Sequence, residues 1–175
     1  DPALVAAMAG DGPDVLRWLI RMGMQFAQTS GGDLHTRRAG GMSTPRLTHC
    51  RDYTGLEMMR VLREAVIQHR SIEVWEQSPA VELLSNEHGQ KCVGAVLTSL
   101  LDDQLRIVRT RSVILATGGL GRLHLNGFPT SNHLGATGDG LVLAYRIGAK
   151  LREMDSFQYH PTGLLHPSHL AGKLV

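Results

Sequence analysis

The sequence predicts an α/β fold with flanking helices and an antiparallel β-meander, and three observations carry that expectation. Short apolar runs rich in β-branched residues end abruptly in glycine, as buried strands do where they meet a loop. Other stretches space their apolar residues three and four apart, as amphipathic helices do. The 175 residues include 20 Gly but only 5% aromatics. That balance suits backbone that approaches a ligand closely better than an aromatic-filled sandwich.

In chain order, residues 1–23 read as two helices. The first, Ala3–Ala9, stops at Gly10. The second enters at Pro13, buries Val15, Leu16, Leu19, Ile20 and Met22, and closes at Gly23. Met24–Phe26 reads as the start of a strand. Residues 29–55 are polar and glycine-rich, with Arg38-Ala39-Gly40-Gly41 and Asp52-Tyr53-Thr54-Gly55 inside them. That is too long for a simple connection, so a functional loop and a mobile surface loop both stay open. Thr54 and Glu57 are spaced as a capping box for a helix reaching about His69. Ile72–Glu76 reads as a short strand. Val81–Leu84, Cys92–Leu97 and Leu105–Val108 read as a three-stranded meander turned at Asn86–Gln90 and Asp102-Asp103.

The richest stretch is Ser112–Gly163. Val113–Ala116 is an apolar run stopped by Thr117-Gly118-Gly119, as a buried parallel strand ending in a tight loop would be. In open α/β sheets ligands sit outside such strand ends. Ala136-Thr137-Gly138-Asp139-Gly140 leads into an apolar run, Leu141–Ile147, that Gly148 closes. This reads as a helix whose entrance offers N–H groups to an anion, although the four residues from Thr137 taken alone read first as a plain turn. His160 stands between Tyr159 and Pro161, where a rigid X-Pro unit can aim an imidazole at a carboxylate or a proton.

Lys and Arg total 18 and Asp and Glu 16, a formal net charge of +2. No basic stripe suggests nucleic acid, and Arg106–Arg111 reads as the wet face of a strand. Cys50 and Cys92 form no CxxC pair, so a reducing, cytoplasmic compartment is the default. No apolar run approaches the roughly 18 residues of a membrane span, and no signal-peptide pattern is visible. Of nine histidines, none has the spacing of a metal site; His35 and His49 carry no spacing that suggests chemistry. The chain begins without Met and ends without a closing signal, so it reads as an internal piece of a longer polypeptide.

Taken in order, Ala116-Thr117-Gly118-Gly119-Leu120-Gly121-Arg122, Thr130-Ser131-Asn132, Thr137-Gly138-Asp139-Gly140 and Gln158-Tyr159-His160-Pro161-Thr162-Gly163 resemble the flavoprotein subunits of fumarate reductase and succinate dehydrogenase. They are equally similar to the related L-aspartate oxidases. Arg38–Gly41 and Asp52–Gly55 match further landmarks. The resemblance implies a partial FAD-binding domain of the glutathione-reductase type. It implies an FAD-dependent oxidoreductase that transfers hydride between FAD and a C4 dicarboxylate, with L-aspartate oxidation as the variant. Ala116, Thr117, Gly118, Gly119, Asn132, Thr137, Gly138, Asp139 and Gly140 would lie along FAD. His160, Gly40 and Gly41 would face the substrate. No catalytic residue is expected in this chain: the proton-transferring Arg would come from a capping domain downstream. The GxGxxG segment that seats the pyrophosphate would lie upstream. An iron–sulfur subunit is the implied partner, with the protein cytoplasmic or held at the cytoplasmic face of the membrane. Ala39 departs from both relatives' patterns and leaves the substrate open. The loop Leu123–Pro129 is longer than the resemblance implies. The alternative for the 175 residues alone is an inactive excised domain that does not retain FAD.

Overall fold

The computed structural model describes residues 1–123, 130–160 and 162–173. The chain divides into two compact units, Asp1–Val74 and Trp75–Val175.

In the first unit, α1 spans Pro2–Arg21 as one continuous helix. The expected break at Gly10 does not occur, and Pro13 lies inside the helix. Alanines at positions 3, 6, 7 and 9 favour the early turns. The Asp1 carboxylate accepts from the Ala3 N–H at 2.9 Å, and Pro2 needs no partner in the first turn. The helix ends in a Schellman arrangement. Gly23, at φ 98°, donates its N–H to Ile20 O, and Met24 donates to Leu19 O. That turn drops Met24 onto Leu19, and both join Phe26 and Val61 in the buried core.

α2, Thr54–Gln68, packs on the same core through Val61, with Met58 and Leu62 beside it. The expected capping box is not formed. Tyr53 is the N-cap and offers no side-chain bond, while the Thr54 hydroxyl accepts from the Cys50 N–H at 3.0 Å. Glu57 instead pairs with Arg60, which also reaches Glu64. Met24–Phe26 makes no strand, although Met24 and Phe26 are buried in the alternation a strand would show. Ile72–Glu76 makes no strand either. Within the glycine-rich segment, β1 (Thr36–Arg37) pairs antiparallel with β2 (Leu47–Thr48), Thr36 opposite Thr48 and Arg37 opposite Leu47.

In the second unit, β3 (Ala80–Ser85), β4 (Cys92–Thr98) and β5 (Leu105–Arg109) form an antiparallel meander with β4 central. Its first turn is built by Asn86, whose side-chain oxygen accepts from Gln90 and Lys91 N–H groups. Gly94 is buried where a Cβ would run into the Val108 carbonyl across the ladder. The expected wet face of β5 is turned over. Arg106 is half-buried, near Asp102 at 3.6 Å and 5.7 Å from the Trp75 ring, whereas Leu105 and Ile107 are exposed. Long guanidinium stems cover apolar surface readily, so a half-buried arginine on a strand is no conflict.

Val113–Ala116 is not a strand: no described strand pairs with it, and Ile114 is 91% exposed. The Thr110 hydroxyl bonds to Ser112 on both its N–H and its carbonyl, turning the chain away from β5. A strand exists only through its ladder partners, and every sheet among the described residues is antiparallel. α3 spans Asp139–Arg146, enters through Gly138 at φ 80° and lies against β3. Gly148, at φ 92°, closes it as expected and donates to Tyr145 O.

Candidate functional site

The loop after the apolar run and the loop before α3 lie directly on one another. Gly138 donates its N–H to Gly119 O at 3.2 Å, and Arg122 donates its N–H to Ala136 O at 2.8 Å. A Cβ on Gly140 would collide with the Thr117 side chain, so the first turn of α3 rests on Thr117. A Cβ on Gly138 would stand 3.3 Å from Leu120. On the other side the loop is bare. Gly118, at φ 72°, and Gly119 have nothing within 4 Å of where a Cβ would project. Ala116–Gly119 and Thr137–Gly140 thus make one joined pair of loops, with uncovered backbone at Gly118 and Gly119. Within it, Asp139 Oδ2 accepts from the Thr137 hydroxyl at 2.6 Å, which places a carboxylate at the helix entrance.

Next to these loops a cleft of about 720 Å³ is lined by Leu120, Gly121, Asn132, Phe157, His160 and Gly163, among others. Asn132 packs against Gly121, where a Cβ would meet its amide at 2.6 Å. Its Nδ2 donates to the Thr130 hydroxyl at 2.8 Å. The rings of Phe157 and Tyr159 lie 4.8 Å apart on the same wall. His160 is exposed; its Nδ1 lies 2.7 Å from the Thr162 carbonyl and 3.3 Å from the Thr162 amide nitrogen, so Thr162 holds the ring by that nitrogen. Pro161 lies outside the described residues, as do positions 124–129 of the loop expected to be long.

Asn132 and His160 therefore share one cleft, and that cleft begins at Leu120, directly after Gly119. Ala116–Gly119 and Thr137–Gly140 do not line it themselves; they form the adjoining shelf. Arg122 is a site residue that no motif assigned a role. Its Nε donates to Asn132 O at 2.8 Å, so with its N–H bond to Ala136 it ties three segments together. No spacing in the sequence signalled it, because its partners come together only through loop closure.

Gly40 and Gly41 lie in the first unit. Met42 donates its N–H to Ala39 O at 3.1 Å, and Gly41, at φ 77°, occupies the turn position that requires a positive φ. Arg38 closes the turn from outside by donating to Ser43 O, and Arg46 donates to the Ser43 hydroxyl at 2.7 Å. Arg37 pairs with Asp52 at 3.2 Å.

A family model described as FAD binding domain matches residues 1–175. L-aspartate oxidase 2 of Ralstonia nicotianae is 37% identical over 162 residues, 93% of this chain and 29% of that protein. One subunit of the fumarate reductase (CoM/CoB) of Methanothermobacter marburgensis is 36% identical over 176 residues, all of this chain and 31% of that protein. Among solved structures, the Escherichia coli quinol fumarate reductase superposes with a TM-score of 0.82 at 30% identity, over 89% of this chain and 26% of that one. The chain thus spans less than a third of the length of these relatives. With a family match over its whole length and curated relatives above 30% identity, the chain belongs to the FAD binding domain family that includes these flavoproteins.

Proposed function

We propose that the full-length protein is an FAD-dependent oxidoreductase of the fumarate reductase and succinate dehydrogenase type, acting on a C4 dicarboxylate. The observation that carries this is the joined pair of glycine loops with His160 and Asn132 in the cleft beside them. The residues fit the cofactor. Gly118 and Gly119 present bare backbone to open space, whereas Gly140 is already filled by Thr117. In this reading Ala116–Gly119 and Thr137–Gly140 lie along FAD. Asp139 accepts hydrogen bonds from it, the entrance of α3 faces its negative charge, and Asn132 adds a polar side chain. FAD, when bound, supplies the two-electron hydride chemistry.

The chain's own part is binding and orientation. His160 would hold one substrate carboxylate through Nε2, with Nδ1 anchored on Thr162, so that the reacting carbons are aligned. Gly40 and Gly41 would line the substrate side through their backbone. The proton-transferring Arg would lie outside residues 1–175, as would the pyrophosphate turn and the capping domain. The finer fold we carry forward is the glutathione-reductase type, with Val113–Ala116 taking its place in a parallel sheet when neighbouring strands are present. An iron–sulfur partner follows from the same reading; that some partner subunit exists is supported by the Methanothermobacter marburgensis relative, whose name makes it one subunit of a larger enzyme. Among the described residues no helix is long and apolar enough to cross a membrane. A cytoplasmic location, free or on the membrane's cytoplasmic face through partners, rests on the two free thiols Cys50 and Cys92.

L-aspartate oxidation is the second reading, favoured by the L-aspartate oxidase relatives. Steady-state assays of the full-length protein against succinate, fumarate and L-aspartate decide between them. Turnover of none of the three would end the proposal. For the 175 residues alone, a visible spectrum taken after adding FAD and desalting separates a chain that holds flavin from one that does not.

A further inference from the structure

His35 and His49 stand immediately outside β1 and β2 and close the base of that hairpin. Their rings meet edge to face at 82°, with His35 Nδ1 2.8 Å from His49 Nε2. Both backbones are tied to one residue: His35 donates its N–H to Ala27 O, and Ala27 donates its N–H to His49 O, each at 2.8 Å. His35 is exposed, while His49 is 5% exposed. Among the described residues, His49 Nδ1 is buried with no hydrogen-bond partner.

That orphan nitrogen decides the direction of the bond. Only one proton fits between two ring nitrogens in contact. If His35 donated, neutral His49 would carry its proton on Nδ1, leaving a buried N–H without an acceptor. If His49 donates from Nε2, only a lone pair is left unmet. Buried orphan N–H groups are the rarer and costlier of the two. The geometry points to His49 Nε2–H as donor and His35 Nδ1 as acceptor.

We propose that this bond makes His35 and His49 a positioning pair: it fixes how the hairpin leaves the core and so where the Gly40–Gly41 turn at its tip stands. The two short strands supply only the pairs Thr36 with Thr48 and Arg37 with Leu47, and the tip is held mainly by exposed arginine contacts. A part-buried side-chain bond at the base, with His49 on its buried side, is therefore the side-chain contact best placed to set the tip. The proposal rests on the reading that this turn lines the dicarboxylate side.

The test uses the full-length, FAD-loaded protein. His35→Leu removes the acceptor at an exposed position and leaves the core untouched. It is expected to raise KM for the dicarboxylate about tenfold, to leave the flavin-to-protein ratio unchanged, and to speed amide exchange over residues 36–48. His35→Asn places an oxygen acceptor near the position of Nδ1 and is expected to bring KM back to within about twofold. His49→Gln, which keeps a donor at the Nε2 position, should behave like His35→Asn. Wild-type KM and exchange in His35→Leu, or an Asn variant no better than the Leu variant, overturns the proposal. Gly41→Ala separates the two levels. If it raises KM and His35→Leu does not, the turn matters and the pair does not position it. If Gly41→Ala leaves dicarboxylate kinetics alone, the reading of the turn fails and the proposal falls with it.

Discussion

Asp139 has two carboxylate oxygens, and the Thr137 hydroxyl occupies Oδ2. The pairing fixes the rotamer of an otherwise exposed side chain, leaving Oδ1 for a ligand hydroxyl or N–H. A charge-assisted bond of that kind contributes on the order of 1.5–3 kcal/mol. Asp139→Ala in the full-length protein is therefore expected to weaken FAD binding by at least about tenfold, read as flavin absorbance per protein after dialysis. Full flavin content in that variant would remove Asp139 from the cofactor site. At this scale the sequence was legible where the residue type permits one use. A glycine with positive φ stands at positions 118 and 138, each inside a short motif readable as a tight turn, whereas the turn at Gly41 lay inside a segment readable only as a long loop. Arg122 and the histidine pair were not legible. Their partners, Asn132, Ala136 and each other, are brought near by loop closure and not by any spacing in the chain.

At the scale of elements, α3 and its entrance depend on a contact between Gly140 and Thr117 that leaves no room for a Cβ. Gly140→Val must push α3 off the Ala116–Gly119 loop. Flavin content is expected to fall with secondary structure largely kept, because overpacking costs typically about 1–3 kcal/mol. Circular dichroism and flavin absorbance on one sample check both halves; a variant with full flavin would show that the two loops need not touch. The β4–β5 turn supplies a pH test. The Ser99 hydroxyl, then the Gln104 N–H, then Arg106 hold the Asp102 carboxyl below the usual carboxylate range. Its folded pKa is lowered, so this contribution is complete above the unfolded value and is lost as pH falls through the folded one. Amide protection factors across Ser99–Gln104, corrected for the intrinsic pH dependence of exchange, should therefore fall only in acid, and Asp102→Asn should flatten that dependence. The meander was readable because alternation and turn residues are local. α1 was misread as two helices because Gly10 and Pro13 outweighed the alanines around them. The strands expected at Met24–Phe26, Ile72–Glu76 and Val113–Ala116 failed for one reason: β-branched and aromatic residues raise strand propensity, but a ladder partner decides, and that is not local.

For the whole molecule, the described residues hold antiparallel sheets, three α-helices and a cleft, while the relatives run to more than three times this length. The exposed Ile114-Leu115 pair and the turned-over face of β5 are apolar surfaces of this chain as it stands. Composition could not foretell that exposure, since it depends on which neighbours are present. Motif order carried the family reading, because three separate bends had to occur in sequence before any of them pointed to the family. The central claim is a flavin bed at Gly118 and Gly138 with the His160 imidazole beside it. The most direct measurement is a difference titration of a non-reacting C4 dicarboxylate into the FAD-loaded full-length protein, followed in the visible flavin band. The expected result is a saturable perturbation in the wild type that His160→Ala weakens by at least about tenfold with flavin content unchanged. An equal perturbation at equal concentrations in both proteins would contradict that claim.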